Sequence, residues 1–318
     1  MMTYLLMISG FLLASYSVVA NDAVQTLGTF LSSNSHRPWW VLWLFTCSVL
    51  TAVLVYGWFF YHGDVSYGRL EIIPVPQSFT WVYLIPPLVL LGLTRFGIPV
   101  STTVLILTVF APEALGDILI KSILGYWVAL IASLIIYTLI TRKLEEYFIK
   151  TKDQEISLLW IILQWLATGF LWSQWLIQDF ANIFTYLPRT LSWKWLIFSL
   201  VVMGILQAAI FYSQGGKIQE IVTSKTNTQD IRSATLIDFI YGFILLIFKE
   251  YSNIPMSTTW VFLGLLAGRE MAMTFIDQNR SFRETGKIVV NDVFKAFTGL
   301  VVSLIVAFGL PLFVKLMT

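Results

Sequence analysis

The sequence predicts an all-α, polytopic membrane protein with a two-fold internal repeat, and three observations lead to this prediction. Of the 318 residues, 57% are hydrophobic and 12% are charged, whereas about 25% of a typical soluble protein is charged. Several apolar stretches, of which Trp39–Tyr61 is the clearest, contain no charge and reach the roughly 20 residues that a spanning helix needs. Two polar motifs each occur twice.

The first repeated motif joins a proline to three hydroxyl-bearing residues. Its two copies, 156 residues apart, read Pro99-Val100-Ser101-Thr102-Thr103 and Pro255-Met256-Ser257-Thr258-Thr259. Each copy separates two apolar segments that are short for a full crossing, so we expect re-entrant hairpins that enter and leave the membrane on one side. Non-helical backbone at that depth must be covered by protein or line a cavity, which indicates an internal site.

The second repeated motif places an aspartate beside an amide, with another amide three residues later. Its members are, in chain order, Asn21, Asp22, Gln25, Gln178, Asp179 and Asn182. The two aspartates are 157 residues apart, which is almost the separation of the first motif and close to half of the chain. We therefore divide the chain into two transmembrane repeats, residues 1–150 and 151–318, which meet at the charged stretch 141–155, predicted to be a solvated linker.

Each half opens with an apolar helix that runs into its acidic motif. Polar residues interrupt the apolar run there, so we expect a broken helix with a short second piece. The opening helices are predicted at Tyr4–Ala20 and Leu158–Ile177, with second pieces that end near Ser33 and Leu187. The first of them resembles a signal peptide, but no Lys or Arg precedes Arg37, so we expect a retained membrane helix.

The remaining elements follow in the same order in both halves. A full spanning helix is followed by a polar loop, an apolar helix that leads into the hairpin, and a long closing helix. The predicted positions, first half before second, are Trp39–Tyr61 and Trp193–Tyr212 for the span, Trp81–Leu93 and Ile237–Phe248 for the helix before the hairpin, and Ile118–Ile140 and Val289–Phe313 for the closing helix.

The two aspartates are the residues that most strongly indicate a function. A charged side chain at membrane depth costs about 3 kcal/mol on insertion scales, so it seldom lacks a role. Residues i and i+3 share a helix face, so each carboxylate and the amide after it can line one cavity. Carboxylate and amide oxygens suit a hard cation such as Na⁺, and a buried carboxylate can instead carry a proton. The competing interpretation is a helix cap at the membrane edge.

The Pro-x-Ser-Thr-Thr segments place hydroxyls and free backbone N–H groups at the start of a helix. Such helix ends bind anions through their N–H groups and the helix dipole. Neither segment contains Lys or Arg, so an anion would be held by hydroxyls, dipoles and co-bound cations. The competing interpretation is ordinary capping, together with hydroxyl bonds to the preceding helical turn.

Three further acidic residues have structural rather than functional interpretations. Asp238 begins an apolar stretch and is predicted to be a helix cap. Glu113 and Glu270 end the two hairpins and are predicted to be exposed at the membrane interface. The net charge of +2 gives no indication of a nucleic-acid partner.

The two motifs together resemble those of the inorganic phosphate transporter (PiT) family, which includes related sulfate permeases. Members of that family carry sequences similar to GANDVANAxGT near the start of each half and PVSTTH in the hairpin. The similar segments of this chain are residues 20–29 and 178–183 for the first motif, and residues 99–103 and 255–259 for the second. The resemblance covers nearly the whole chain in order and spacing.

Four positions depart from the pattern of the PiT family. Gln25 and Gln178 stand where the family has Asn, and Val104 and Trp260 stand where it has His. The longer side chain of glutamine moves the amide oxygen by about one methylene. This shift alters a coordination sphere in which the ion–oxygen distances are roughly 2.3–2.6 Å, the range for Ca²⁺, an ion of about the size of Na⁺. The chain also lacks the larger central loops of the family.

The resemblance implies an inverted repeat, a homodimer in the cell membrane, and uptake of phosphate coupled to Na⁺ or H⁺. The coupling-ion candidates are Asp22, Asp179, Gln25 and Asn182, with Na⁺ possible at Asp22, Asp179 and Asn182. The substrate-binding candidates are Ser101, Thr102, Thr103, Ser257, Thr258, Thr259, Asn21 and Gln178. We expect no catalytic residue, no enzymatic activity and no cofactor other than the coupling ion.

Three alternatives stay open on the sequence alone. The substrate can be sulfate or another tetrahedral anion. The protein can be a membrane sensor or regulator that binds its ligand without transporting it. It can also be an intramembrane enzyme in which two aspartates share a proton, although these aspartates lack the Tyr-Asp and Gly-x-Gly-Asp contexts of that class.

Overall fold

A computed structural model describes residues 2–151, 154–213, 230–276 and 282–317, and every regular element in these residues is helical. The fold is therefore all-α, as the sequence predicts. The helices of the first half are α1 (Met2–Val18), α2 (Val24–Ser33), α3 (Trp39–Phe60), α4 (Ile85–Arg95), α5 (Thr102–Phe110), α6 (Leu115–Ile135) and α7 (Arg142–Lys150). Those of the second half are α8 (Leu158–Phe184), α9 (Trp193–Tyr212), α10 (Ile231–Tyr251), α11 (Thr258–Ile276) and α12 (Phe282–Met317).

Long apolar helices make this a multi-pass membrane protein. Among the described residues, six helical stretches are long and apolar enough to cross a bilayer, namely Met2–Ala23, Trp39–Phe60, Pro112–Leu139, Trp193–Tyr212, Ile231–Tyr251 and Thr285–Leu310. Most of the predicted polar loop after α9, residues 214–229, lies outside the described residues.

The hairpin of the first half is built from two short helices. α4 has 11 residues and α5 has 9, which gives lengths of roughly 17 and 14 Å at about 1.5 Å per residue. Neither length crosses a hydrocarbon core of about 30 Å. The chain reverses between these two helices at residues 96–101, as predicted for a hairpin that does not cross the bilayer, and Gly97 there has a φ of +67° that favours glycine.

Two predictions about helix length were wrong in the second half. α10 has 21 residues and α11 has 19, so these helices are much longer than those of the first hairpin. The predicted break at Gln178-Asp179 is also absent, because α8 runs unbroken from Leu158 to Phe184. Polar side chains that find partners on neighbouring helices can lie inside a helix without ending it, so the end of an apolar run did not mark the end of a helix.

The two halves exchange packing partners. The hairpin helix α11 of the second half packs along α6, which closes the first half. In turn, α5 packs along α12, which closes the second half, and the equivalent helices α3 and α9 pack on each other. This reciprocal arrangement is what two equivalent halves would produce.

The contact between α6 and α11 depends on two glycines. A Cβ atom added at Gly264 would lie 2.2 Å from the Tyr126 carbonyl oxygen, and one at Gly268 would lie 2.2 Å from the Leu130 carbonyl oxygen. Small residues spaced by four positions let helix backbones approach closely within a membrane. The pair therefore sets the distance between α6 and α11, the helix that begins with the threonines of the second hairpin motif.

α7 is not the solvated linker that the charged stretch predicted. Its Glu145 is 1% exposed and accepts a hydrogen bond from Ser233 Oγ at 3.0 Å. Burial raises the pKa of the Glu145 carboxyl above its ordinary value, and Arg269 opposes the increase. The prediction failed because the charges of α7 lie mainly on one exposed face, while the opposite face packs on the protein.

Candidate functional site

Asp22 lies where the opening helix of the first half changes its geometry. α1 ends at Val18, and Val19–Ala23 form a π-helical turn before α2 begins. π-helical turns inside α-helices are frequent at functional sites. Asn21, Asp22 and Gln25 are 0%, 1% and 6% exposed, so the Asp22 carboxylate and the amide predicted to share its helix face are both buried, and Asp22 is not an exposed helix cap.

The Asp22 carboxylate contacts the hairpin of the other half. Its Oδ1 atom accepts hydrogen bonds from Asn21 Nδ2 and Thr259 Oγ1, each at 2.9 Å. Thr102 of the first hairpin also interacts with this carboxylate. Asp22 therefore joins the hydroxyl clusters of both halves.

The Asp179 carboxylate is connected to both hairpins as well. Its Oδ2 atom accepts a hydrogen bond from Thr258 Oγ1 at 2.6 Å, and its Oδ1 atom accepts one from Asn182 Nδ2 at 2.6 Å. Asn182 Nδ2 also lies 3.0 Å from Thr102 Oγ1 and 3.1 Å from Thr103 Oγ1. The amide thus links the second acidic motif to the first hairpin.

A reciprocal pair of hydrogen bonds joins the two hairpins directly. Thr103 Oγ1 donates to the Met256 carbonyl oxygen at 3.0 Å, and Thr259 Oγ1 donates to the Val100 carbonyl oxygen at 3.1 Å. These residues hold equal places in the two copies of the motif, so each hairpin makes the same contact with the other. The repeated sequence therefore corresponds to a repeated contact in space.

The two serines of the hairpins act as helix caps. Ser101 Oγ accepts a hydrogen bond from the Val104 backbone N–H, and Ser257 Oγ accepts one from the Trp260 N–H, each at 3.2 Å. The capping interpretation thus holds for the serines, whose oxygens satisfy free N–H groups at the starts of α5 and α11. The threonines instead face the aspartates and the opposite hairpin.

The two glutamines that depart from the PiT pattern have different surroundings. Gln25 Nε2 lies 3.4 Å from Asn21 Oδ1, at the edge of the Asp22 cluster. Gln178 turns away from the hydroxyls, because its Nε2 donates to the Leu245 carbonyl oxygen at 3.2 Å and its Oε1 accepts from Arg69 Nε at 3.1 Å. Gln178 therefore contacts a cation that the sequence did not place near the site.

Two buried oxygen atoms of the cluster lack a hydrogen-bond partner. They are Asp22 Oδ2 and Asn182 Oδ1, whereas buried polar atoms are normally paired. Oxygen atoms of this kind are the ligands that hard cations such as Na⁺ prefer. Asp179 and Asp22 accept hydrogen bonds from the adjacent residues Thr258 and Thr259, so two negative charges would lie close together there, and a bound cation or proton would relieve their repulsion. The described residues contain no group of three or more His, Cys, Asp or Glu side chains suited to a metal.

The whole cluster is closed to the outside. The six hydroxyl residues of the hairpins are each at most 2% exposed, and both aspartates are at most 1% exposed. A ligand could reach these groups only if helices or hairpins moved. The site thus combines two acidic groups, two amides and four threonine hydroxyls in an occluded space between the halves.

Two of the three structural interpretations of acidic residues were wrong. Asp238 is 0% exposed inside α10, where its carboxylate accepts hydrogen bonds from Thr29 and Thr168, each at 2.5 Å. It does not cap the helix, because α10 begins at Ile231. Glu270 is 8% exposed and lies 3.5 Å from a cationic partner on its own helix, whereas Glu113 is exposed as predicted.

Lys121, which lies in the predicted closing helix of the first half, binds the backbone segment that leads into the second hairpin. It is 4% exposed, and its Nζ donates to the carbonyl oxygens of Ser252 and Ile254 at 2.7 and 2.5 Å. These carbonyls stand between the end of α10 and Pro255. The lysine therefore satisfies backbone groups that α10 leaves free where it ends.

We expect Lys121→Met to lower stability, because it leaves two partly buried carbonyl oxygens without a donor. The cost should be about 1–3 kcal/mol, measured as a lower midpoint of thermal unfolding in detergent. Lys143→Met, which removes an exposed lysine from α7, is the matched control and should leave the midpoint unchanged. Equal midpoints for the two variants would contradict the role of Lys121.

Comparison with known proteins identifies the fold. Neither a family model nor a curated protein matches the chain. A solved structure described as "The sodium-dependent phosphate transporter" matches it with a TM-score of 0.63 and 16% sequence identity, over 100% of both chains. The chain thus has the fold of that transporter along its entire length.

Proposed function

We propose that this protein is a secondary transporter of an inorganic oxyanion, with phosphate as the foremost substrate and Na⁺ or H⁺ as the coupling ion. One observation carries the proposal: both acidic motifs and both hydroxyl motifs, which are distant in sequence, form a single buried cluster. The similar fold of a structure described as a sodium-dependent phosphate transporter supports the choice of phosphate. Sulfate or another tetrahedral anion is the alternative substrate.

The cluster has the chemistry that co-transport of an anion with a cation requires. The threonine hydroxyls and the N-termini of α5 and α11 can donate hydrogen bonds to oxyanion oxygens. The carboxylates, with Asp22 Oδ2 and Asn182 Oδ1 as unpaired acceptors, can hold the coupling cation. Anion and cation would then stabilise each other in a site of low dielectric constant.

The reciprocal contacts of the two halves suit alternating access. In transporters with repeated halves, the site lies near the middle of the membrane, and one part moves against the other to expose it to each side in turn. The exchanged packing of α5 and α11 supports two equivalent halves, 1–150 and 151–318, and we propose that they form an inverted repeat, as the resemblance to the PiT family implies. A homodimer in the cell membrane completes the proposal.

Flux measured in proteoliposomes tests the proposed function. We expect uptake of radiolabelled phosphate that depends on an inward gradient of Na⁺ or H⁺, with each ion gradient imposed separately. Excess unlabelled phosphate should abolish the signal, and the degree of competition by sulfate identifies the preferred anion. Glu113→Gln, which alters an exposed residue outside the cluster, should transport like the wild type.

Two experimental outcomes would contradict the proposal that this protein is a transporter. Absence of flux for phosphate, sulfate and other tetrahedral anions in folded protein would contradict the proposal. Binding of phosphate without any flux would assign the protein to the sensors or regulators instead. The protein should be reconstituted in both orientations, so that direction does not mask activity.

A further inference from the structure

Arg69 is a buried cation beside the second acidic motif. It lies in the loop between α3 and α4, yet it is 1% exposed. Its Nε donates to Gln178 Oε1 at 3.1 Å, whereas its Nη2 is buried without a hydrogen-bond partner. Burial of a guanidinium is costly unless a negative charge compensates it. The position of Arg69 therefore requires a compensating charge nearby.

The loop that carries this arginine is folded into a fixed shape. Asp64 accepts hydrogen bonds from the backbone N–H groups of Ser66 and Gly68, each at 2.7 Å. Gly68 has a φ of +78°, a conformation that favours glycine. The Leu191 N–H donates to the Gly63 carbonyl oxygen at 2.9 Å, which fastens the loop to the second half. The guanidinium is thus held in place by the fold.

Asp179 is the acidic group that exerts the largest attraction on Arg69. Two other carboxylates act on it more weakly, Asp64 and Glu250. The Asp64 carboxylate already accepts hydrogen bonds from two backbone N–H groups of its own turn. Glu250 is largely exposed and pairs with Lys249 at 3.0 Å.

The arginine is charged at neutral pH in this setting. Burial lowers the pKa of the Arg69 guanidinium to about 10, and the attraction of Asp179 opposes the decrease. The other nearby cation, Lys121, is held by two backbone carbonyls. Among the described residues, Arg69 is thus the cation that contacts the acidic motif.

We propose that Arg69 is a positioning residue that orients the Gln178 amide and supplies a fixed positive charge to the Asp22–Asp179 pair. The consequence is that the site binds its oxyanion with about one coupling cation fewer than two uncompensated aspartates would require. A coupling ion must be taken up in each cycle, whereas the arginine stays. This inference rests on the proposed function, because it concerns how the charge of the transported anion is balanced.

The test is a titration of phosphate into purified protein at a series of Na⁺ concentrations, repeated over pH if H⁺ couples. The slope of log Kd for phosphate against log cation concentration reports how many cations bind with the anion. Arg69→Gln should steepen this slope by about one ion and weaken phosphate binding at low cation concentration by at least about fivefold. Arg69→Lys keeps the charge and should keep the wild-type slope.

Arg189→Gln is the matched control for an effect on the loop alone. Arg189 donates to the carbonyl oxygens of Ile73 and Thr185, so it fastens the same loop without contacting Gln178. Its loss should leave the slope unchanged. A wild-type slope in folded Arg69→Gln, or a steeper slope in both arginine variants, would overturn the proposal.

A stability comparison decides the question if Arg69→Gln does not fold well enough to titrate. The double variant Arg69→Gln/Asp179→Asn removes both charges, so it should unfold at a higher temperature than Arg69→Gln alone. No recovery in the double variant would overturn the charge pairing. If the wild type binds no oxyanion at all, the proposed function fails, yet this comparison still tests the coupling between Arg69 and Asp179.

Discussion

Asp22→Asn and Asp179→Asn are each expected to abolish cation-driven phosphate uptake in proteoliposomes. Each carboxylate accepts one hydrogen bond from a threonine hydroxyl of the second hairpin and one from an amide side chain nearby in sequence. Replacing the aspartate by asparagine removes the negative charge that would hold the coupling ion. Loss of one partner of a buried charge pair costs about 3 kcal/mol, which corresponds to roughly 100-fold in affinity. Uptake should fall at least that far.

The control for these variants is the same substitution at an exposed aspartate. Asp117 lies at the exposed start of α6, and Asp117→Asn should transport normally. Elution from a sizing column as a single sharp peak would establish that the two site variants are folded. Near-normal uptake by folded Asp22→Asn or Asp179→Asn would remove that residue from the site.

Gly264→Ala and Gly268→Ala are expected to destabilise the protein and to reduce the yield of folded material. The added Cβ atoms would lie 2.2 and 2.1 Å from the nearest atoms of α6, respectively, so α11 would have to move away. Overpacking of this kind costs about 1–3 kcal/mol. Because α11 carries Thr258 and Thr259, we also expect weaker binding of phosphate.

Gly116→Ala provides the matched control. A Cβ atom added at Gly116 meets nothing within 4 Å, and alanine favours helix over glycine by about 1 kcal/mol. This variant should therefore unfold at or above the wild-type temperature in the same detergent. If all three glycine variants behaved alike, close approach of α6 and α11 would not explain the effect.

The fold class could be predicted because it depends on composition. Apolar runs long enough to span a membrane, such as Trp39–Tyr61, correspond to helices within a few residues. The short hairpin of the first half also follows from its sequence, since Pro99 and the capping Ser101 stop and restart a helix. The lengths of α8 and α10 did not follow, because Asp179 and Asp238 find their partners on other helices.

The meeting of the site residues could be predicted from the repeat. Nearly equal offsets for two motifs imply equivalent places in two halves, and in two such halves Thr103 and Thr259 make matching contacts with the backbone of the opposite hairpin. Arg69 gave no comparable signal. It has no counterpart in a repeated motif, and a charged residue in a loop between spans is usually exposed, so only the folded loop shows that it reaches Gln178.

Calorimetric titration of phosphate into the purified protein determines whether both halves build one site. A shared site predicts one phosphate bound per chain, binding that strengthens when the coupling cation is present, and loss of that binding in either Asp22→Asn or Asp179→Asn. Two phosphates per chain, each lost in only one of the two variants, would show separate sites in the two halves and would contradict the account.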